Sequence, residues 1–438
     1  MSSILFIAPS AYIYGGLATW LDYLVPGLEN SGWDVTVGLV SGKWHNAGAY
    51  LKQHLFQKTL AIENKSGSRE GGIRAIYRVI EKVNPQLVVG VNIPDTYAAV
   101  ERLRLKKKSE CKVTMTLHGF SPRLYEDVLK YSQLLDGVIC TNKLGCVLAG
   151  QTGGMQKARV YYAPYGVSVP EPKPKSADKQ TLRIIHVGRL GENFQKRVTD
   201  IPAIIDLLDR SNLNYELRIV GSGEEEAGLR EKMRAQISKK KVSFTGALFG
   251  EALSKMYDWA DVMLLTSFWE TGPIVVWEAM VRKVAVVSSA YIGSKSEGSL
   301  IDGQNCFLFP VGDSKAAAEC LVKFADPALR AKLSENGYKM VSDKYTRERS
   351  VAMWTEAFSK ILLQPTRALA RRITDIGPSG RLDSFLGTSL AEGIRNILGI
   401  RFEHSGPGGE WPHTYSGKAQ DDKSFWELAK TLDGGVIE

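Results

Sequence analysis

Hydrophobic residues follow two alternating patterns along this chain. Short apolar runs typical of buried parallel strands alternate with longer stretches that have the apolar spacing of amphipathic helices. In the first part of the chain the predicted strands are 4–8, 35–40, 87–91, 112–117, 137–140 and 160–163. In the second part they are 183–187, 215–220, 242–245, 262–265, 284–287 and 306–309. This alternation predicts an α/β protein with two doubly wound parallel sheets.

A proline-rich segment divides the two sets of strands. Residues 168–181, SVPEPKPKSADKQT, contain three prolines and no apolar periodicity, which is typical of a linker. We therefore predict an N-terminal Rossmann-like domain over 1–172 and a second Rossmann-like domain over 173–345. A helix over 346–365 follows the second domain.

Residues 366–438 form a C-terminal extension. It contains an amphipathic stretch at 382–398 and a short helical stretch at 425–432. The pattern leaves three roles open, namely capping of the first domain, shaping of an acceptor site and self-association.

A strand–loop–helix unit over 261–280 carries the strongest candidate chemistry. Its apolar run 262–265 predicts a buried strand. Pro273 suits the first position of the following helix, where a backbone N–H has no partner in any case. The N–H groups of Ile274, Val275 and Val276 are then expected to be free. A helix start of this kind binds anions.

Two carboxylates bracket this helix start. Glu278 is the polar exception in a helix that is otherwise apolar on every side, so its burial requires hydrogen-bond donors. Glu270 lies in the loop before the helix. Either residue alone is more often a solvated loop residue or a salt-bridge partner. Together, beside an anion site, they favour a ligand with both phosphate and hydroxyl groups, such as a sugar nucleotide.

Basic residues follow the first strand of the second set. Gly188 makes room after this strand, and Arg189 and Lys196 come next. Basic side chains on such a turn are commonly just solvated. In this position, however, Arg can grip a phosphate with two hydrogen bonds and Lys can act as a point charge.

A second glycine motif, Gly221-Ser222-Gly223, follows the next strand. It lacks the third glycine of a dinucleotide fingerprint, because position 226 is Glu, and it is not followed by the Gly-Lys-Ser/Thr of a P-loop. A nicotinamide oxidoreductase would also need an acidic ribose ligand about 20 residues on, which is not evident. Both the oxidoreductase and the nucleotide-hydrolase interpretations are therefore disfavoured.

The first domain offers two candidate sites. Gly15 and Gly16 follow the first strand and precede a helix, so they either form an ordinary turn or let the backbone approach a ligand. His118 ends the fourth predicted strand. A lone His is more often structural, but the carboxyl end of such a strand is where a ligand site is expected.

Composition narrows the class of protein. The 438 residues suffice for two domains, and 44% apolar residues are typical of a soluble globular protein. The five cysteines show no metal-binding spacing, and there is no evident secretion signal, so we expect reduced thiols and a cytoplasmic protein. No apolar run approaches the roughly 20 residues of a membrane span.

The formal net charge of +9 raises two questions about partners. Nucleic acid is not expected, because no nucleic-acid-binding motif is present. The densest basic run, 101–112, is either a solvated helix end or a patch for peripheral contact with an anionic membrane.

The spacing of Glu270 and Glu278 carries a family resemblance. The segment E-T-G-P-I-V-V-W-E-A-M resembles the E-G-F-P-L-V-x-x-E-A-M of glycosyltransferase family 4, with departures at Thr271 and Gly272. Gly188-Arg189 with Lys196 resembles the G-R-x…K of that family. Tyr165-Gly166-Val167 resembles its N-G-V, with Tyr in place of Asn. The resemblance covers about residues 1–365.

The resemblance implies a retaining glycosyltransferase with the GT-B fold. In that fold two Rossmann-like domains face each other across a cleft, with the acceptor side on the first domain, and a C-terminal helix crosses back to that domain. Arg189 and Lys196 are implied to bind the diphosphate, Glu278 the ribose, and Glu270 and His118 the sugar. The other implied donor-binding residues are Gly15, Gly16, Gly188, Gly221, Gly223, Gly272, Ile274 and Val275.

The implied partners are a nucleotide sugar and a glycan or lipid-linked acceptor. No metal and no further cofactor are expected, since no Asp-x-Asp metal motif stands where it would be needed. A sugar-nucleotide epimerase or a phosphorylase on the same fold, and a non-catalytic sugar-nucleotide-binding protein, remain alternatives.

Overall fold

The computed structural model describes residues 2–10, 15–41, 46–91, 93–171, 173, 181–191, 195–369, 371–402 and 422–434. The chain forms two compact units. Unit 1 comprises Met1–Pro164 and Ser350–Leu428, and unit 2 comprises Tyr165–Arg349 and Ala429–Glu438.

Unit 1 is built on a seven-stranded sheet in the order β3-β2-β1-β4-β5-β6-β7, and every pair is parallel. The strands are β1 (Ser3–Pro9), β2 (Asp34–Val40), β3 (Thr59–Ile62), β4 (Leu87–Val91), β5 (Lys112–Leu117), β6 (Gly137–Cys140) and β7 (Val160–Tyr162). The helices are α1 (Gly16–Asn30), α2 (Ala47–Leu51), α3 (Arg69–Val83), α4 (Asp95–Leu105), α5 (Pro122–Tyr131) and α6 (Lys143–Gln151).

The sequence pattern missed β3. This strand has only four residues and lies at the edge of the sheet, where Ile62 alone is buried. An edge strand needs no continuous apolar run, so periodicity does not mark it.

Unit 2 contains a six-stranded parallel sheet in the order β10-β9-β8-β11-β12-β13. The strands are β8 (Leu182–Val187), β9 (Tyr215–Val220), β10 (Val242–Gly246), β11 (Val262–Leu265), β12 (Ala285–Ser289) and β13 (Phe307–Phe309). The helices are α7 (Ile201–Asp209), α8 (Glu226–Lys232), α9 (Arg234–Ser238), α10 (Gly250–Trp259), α11 (Ile274–Met280), α12 (Ser294–Glu297), α13 (Ser314–Lys323) and α14 (Pro327–Lys344).

The strand order of unit 2 reverses between β8 and β11, which are neighbours in the sheet. In doubly wound sheets the ligand crevice lies at such a switch point, outside the carboxyl ends of the strands. The loops after β8 and β11 carry the candidate residues, so the topology places them at the expected edge.

Four further helices complete the described chain: α15 (Arg347–Leu363), α16 (Arg381–Leu386), α17 (Thr388–Leu398) and α18 (Lys423–Leu432). The amphipathic stretch predicted at 382–398 forms two helices, α16 and α17. Gly387 lies between α16 and α17 with φ +76°, a left-handed conformation that interrupts a right-handed helix.

The first part of the extension packs on unit 1 through buried carboxylates. Glu101 accepts hydrogen bonds from the backbone N–H groups of Ile373 and Thr374. Glu392 accepts from the hydroxyl groups of Ser66 and Ser68, at 2.9 and 2.5 Å. These contacts fix residues 373–392 against the first Rossmann-like unit.

In the basic run 101–112, Arg102, Arg104 and Lys112 make contacts within unit 1, whereas the side chains of 106–108 are exposed. Arg102 pairs with Glu70, and Arg104 pairs with the buried carboxylate of Asp136. Lys112 donates to the carbonyl of Gln364 and to the hydroxyl of Thr366. Much of the positive charge in this run is therefore neutralised or satisfied within unit 1.

None of the helices in the described ranges is both long enough and apolar enough to span a membrane.

Candidate functional site

Two loops of unit 2 are joined by hydrogen bonds to backbone carbonyl groups. The hydroxyl of Thr266 donates to the carbonyl of Lys196 at 2.8 Å, and the N–H of Phe268 donates to the carbonyl of Gln195 at 2.6 Å. These bonds connect the loop that follows β8 with the loop that follows β11. The side chain of Lys196 is thereby brought to Glu270.

Glu270 is buried and is held on one side only. Its Oε1 accepts from Lys196 Nζ at 2.7 Å and from Ser267 Oγ at 2.6 Å. A buried carboxylate is tolerated when a cation and a further donor satisfy it. Within the described ranges no group donates to its second oxygen, Oε2.

Glu278 lies one turn into α11 and shows the same asymmetry. Tyr257 of α10 donates its hydroxyl to Oε2 at 3.0 Å, whereas no described residue donates to Oε1. Burial raises the pKa of Glu278, while the Tyr257 hydrogen bond and the charges of Arg282 and Arg347 lower it. The donor that the sequence required thus comes from another helix, 21 residues upstream.

The prediction of three free amides at the start of α11 is wrong. Pro273 precedes the helix, with φ −77° and ψ 75°, and forms an inverse γ-turn in which the N–H of Ile274 donates to the carbonyl of Gly272 at 2.8 Å. The N–H of Val276 donates to the carbonyl of Pro273. No described residue accepts from the N–H of Val275, so one amide remains where three were expected.

Gly221 and Gly223 are required by the packing of two loops. A Cβ at Gly221, where φ is +145°, would lie 1.8 Å from the carbonyl oxygen of Gly188. A Cβ at Gly223 would lie 2.2 Å from the carbonyl oxygen of Leu190. Real Cβ atoms do not approach a backbone oxygen this closely. The two glycines therefore let the loop after β9 lie directly on the loop after β8.

The loop after β8 presents the other basic candidate. Arg189 is exposed on this loop, next to buried Leu190. Gly188 is not sterically required, because an added Cβ would meet only His186 Nε2, at 3.6 Å. Arg189 is thus placed at the switch-point edge by the backbone of the loop.

Two of the departures from the family motifs, Tyr165 and Gly272, are in contact with each other. The ring of Tyr165 lies over Gly272, and a Cβ at position 272 would be 2.6 Å from a ring carbon. Tyr165 is buried. The small residue at 272 therefore accommodates the large residue at 165, beside the loop that carries Glu270.

His186 is a site residue that the sequence analysis did not consider. It is buried on β8, and its Nδ1 lies 3.0 Å from the carbonyl oxygen of Leu264. Burial lowers the pKa of His186 to about 4, so the ring is neutral and donates through Nδ1. Because His186 lies within an apolar strand and not in a loop after it, the sequence pattern did not mark it as a site residue.

Unit 1 holds the remaining candidates. Gly15 and Gly16 are exposed at the start of α1, which has no side-chain cap. His118 follows β5, and its Nε2 lies 2.9 Å from the hydroxyl of Thr116. Its ring packs against Trp20 and Trp354, and burial lowers the pKa of His118 to about 3. His118 is thus a neutral residue held by aromatic rings.

Three more residues shape the site of unit 2 without an obvious sequence signal. Ser267 and Tyr257 each donate to one of the two carboxylates. Asp433 accepts from the N–H groups of Gly293 and Ser296, both at 2.8 Å. These contacts are distant in sequence, except for Ser267, so local spacing does not reveal them. No group of three His, Cys, Asp or Glu in the described part of the chain is arranged to hold a metal ion.

Comparison with known families agrees with the motifs. Residues 170–340 match the family model of group 1 glycosyl transferases, which confirms the resemblance to glycosyltransferases of this group for that part of the chain. Assignment to family 4 within that group remains a prediction.

Two relatives match along part of their length. The chain is 30% identical over 182 residues to an uncharacterized glycosyltransferase of Methanocaldococcus jannaschii, covering 41% of this chain and 45% of the relative. It is 28% identical over 171 residues to a Campylobacter jejuni α-1,4-N-acetyl-D-galactosaminyltransferase named for a diphosphoundecaprenol-linked glycan, covering 38% of this chain and 45% of the relative. The chain thus matches less than half of either relative.

Solved structures show the fold. The Anabaena protein HepE, in complex with UDP and glucose, superposes with a TM-score of 0.67 at 18% identity, covering 82% of this chain and 100% of HepE. The galactosyltransferase WaaB, of the lipopolysaccharide outer core, gives a TM-score of 0.64. The two doubly wound sheets are those of the GT-B fold, as the sequence predicted.

Proposed function

We propose that this protein is a retaining glycosyltransferase that moves a sugar from a nucleoside diphosphate sugar to a hydroxyl group of an acceptor. One observation carries the proposal. Glu270 and Glu278 each have one oxygen held by the protein and a second oxygen to which no described residue donates. Such oxygens suit a ligand with several hydroxyl groups, because each of these acceptors gains a donor when the ligand binds.

The proposed roles divide along the donor. Glu278 accepts from the ribose hydroxyls and Glu270 from a hydroxyl of the sugar. Lys196 and Arg189 face the diphosphate, with the N–H of Val275 as a further donor. Lys196 forms an ion pair with Glu270. The residue that binds the diphosphate is therefore in direct contact with the residue that binds the sugar.

In the proposed reaction the bond between the anomeric carbon and the diphosphate oxygen breaks, and a bond to the acceptor oxygen forms on the same face. The acceptor proton passes to the departing diphosphate, so no protein base is needed. His118, which burial keeps neutral at physiological pH, takes no part in this proton transfer. Lys196 and Arg189 stabilise the charge that gathers on the leaving group. Losing one such preorganised donor typically costs about 100- to 1000-fold in rate.

The comparisons guide the choice of substrates. A structural neighbour was solved with UDP and glucose, and one relative is named for a lipid-linked glycan. We therefore propose a UDP-sugar as the first donor to test and a lipid-linked or free glycan as the acceptor. With the two cations at the diphosphate, we further propose that transfer needs no metal ion.

The test is release of nucleoside diphosphate from UDP-, GDP- and ADP-sugars, with and without glycan acceptors. Glu270→Gln should lower kcat at least about 100-fold, and Glu335→Gln, a half-exposed carboxylate paired with Lys283, should leave it unchanged. The product should keep the anomeric configuration of the donor in its NMR coupling constants, and activity should survive EDTA. Absence of release from every donor would overturn the proposal, and an inverted product would overturn retention.

A further inference from the structure

Helices α16 and α17 and the residues just after them expose six large apolar side chains between positions 385 and 400. We define this apolar ridge by six exposed side chains: Phe385, Leu386, Leu390, Ile397, Leu398 and Ile400. Phe385 is 92% exposed and Ile397 is 84% exposed. Exposed apolar residues are common singly, but a contiguous group of this size marks an interaction site.

The ridge follows the helical repeat of α17. Leu390, Ile397 and Leu398 stand at positions i, i+7 and i+8, which share one face of a helix. The other side carries Glu392 and Arg395, both buried. The helix is therefore amphipathic, with one face packed on the protein and an apolar face turned outward.

The buried polar side chains of α16 and α17 have their hydrogen-bond partners without any contribution from the ridge. Arg395 binds Asp383 through two hydrogen bonds of 2.7 and 2.5 Å, and this pair is buried. Glu392 is only 1% exposed and is satisfied by Ser66 and Ser68 of unit 1. The ridge is consequently not an unfinished part of this packing.

Charge is sorted between the two sides of the pair. Both acidic residues between positions 380 and 402, Asp383 and Glu392, are buried. The charged residues exposed in that range are Arg381 and Arg401. Within the described residues 380–402, the exposed side chains thus include apolar and positively charged ones and no carboxylate.

We propose that the apolar ridge docks on an anionic lipid surface, with α16 and α17 lying in the plane of the interface. Apolar side chains enter the boundary of headgroups and acyl chains, while flanking Arg side chains bind anionic headgroups. A second copy fits less well, because the exposed charges of residues 380–402 are all positive and offer no carboxylate to the Arg side chains of another copy. This inference is independent of the proposed transferase activity.

The experiment is sedimentation of the full chain with vesicles of phosphatidylcholine alone and of phosphatidylcholine with 30% phosphatidylglycerol, about the anionic content needed to attract basic residues. The test variant is Phe385→Ser with Ile397→Ser. The control is Leu55→Ser with Leu129→Ser, which removes two apolar side chains of unit 1 that are 84% and 55% exposed and lie outside the ridge. Circular dichroism confirms that each variant is folded.

Wild type and control should bind the anionic vesicles equally, and the ridge variant should bind at least tenfold more weakly. Arg381→Gln with Arg401→Gln should reduce the preference for anionic over neutral vesicles. Absence of vesicle binding, or equal binding by the ridge variant, would overturn the proposal. So would a wild-type dimer in sedimentation velocity that the ridge variant converts to a monomer, because the ridge would then serve self-association.

Discussion

The hydroxyl of Tyr257 donates to Oε2 of Glu278 across 3.0 Å, and no residue in the described part of the chain donates to the other carboxylate oxygen. The residues come from α10 and α11. The bond fixes the orientation of the carboxylate while burial disfavours its charge. Glu278 is therefore held in place at a cost to stability, which is the usual condition of a binding residue.

Replacing Glu278 with Gln should stabilise the protein at neutral pH. The pKa of Glu278 is higher in the folded protein than its ordinary value of 4.5. The contribution of Glu278 to stability therefore falls as the pH rises from the ordinary pKa to the folded-state pKa, and it stays low at higher pH. We expect Glu278→Gln to raise the free energy of unfolding by about 0.5–2 kcal/mol at pH 7, with no gain at pH 4. Urea denaturation at both pH values measures this. A loss of stability at pH 7 would show that the charge of Glu278 is satisfied in the folded protein.

Tyr165 and Gly272 should behave as a coupled pair. Gly272→Ala places a methyl group against the buried ring of Tyr165 and should destabilise the protein by about 1–3 kcal/mol, as overpacking does. Tyr165→Ala in the same chain should remove most of that penalty. A double-mutant cycle measured by thermal unfolding tests the coupling. Additive effects of the two substitutions would contradict the contact.

Gly221 should tolerate no side chain. Ala at this position meets the carbonyl of Gly188 and requires a backbone conformation that L residues rarely adopt, so Gly221→Ala should cost at least about 3 kcal/mol. Gly228 in α8 is the matched control, because an added Cβ there meets nothing within 4 Å. Gly228→Ala should stabilise the protein by about 0.5–1 kcal/mol. Equal effects of the two substitutions in urea unfolding would refute the close approach of the two loops.

His118 should make stability sensitive to acid. Burial lowers the pKa of His118 from its ordinary value of 6.5, expected in the unfolded chain, to about 3 in the folded protein. At pH values between these two, the unfolded chain therefore binds more protons than the folded protein. The stability it contributes is complete above about pH 6.5 and is lost as pH falls toward 3. The difference in unfolding free energy between wild type and His118→Asn should therefore shrink, by about 1–2 kcal/mol from pH 7 to pH 5. A constant difference over that range would contradict a neutral, buried His118.

The sequence predicted most of the sheets because parallel strands buried on both faces are continuous apolar runs. The edge strand β3 lacks such a run and was missed. The break at Gly387 was also missed, since the apolar pattern on either side of it remains in phase.

The candidate site was predictable where its residues are local in sequence. Glu270, Glu278 and Lys196 were selected by spacing, and the structure brings Lys196 to Glu270 through loop contacts that spacing cannot show. Tyr257 could not be found, because its partner lies on another helix. The number of free amides was overestimated, because the inverse γ-turn at Pro273 provides an acceptor for the N–H of Ile274. This turn depends on the ψ angle of Pro273, which the residue type alone does not determine.

The most direct test of the account is whether Glu278 binds ribose hydroxyls. Calorimetric titration should compare UDP, GDP and ADP with their 2′,3′-dideoxy counterparts, on wild type, Glu278→Gln and the control Glu335→Gln. Wild type and control should bind one nucleoside diphosphate at least tenfold more tightly than its dideoxy form, as expected when a charged acceptor loses its donors. Glu278→Gln should bind the two forms nearly equally. If the variant keeps the full discrimination, or if wild type binds none of the three diphosphates, the open oxygen of Glu278 is not a ribose site and the account is wrong.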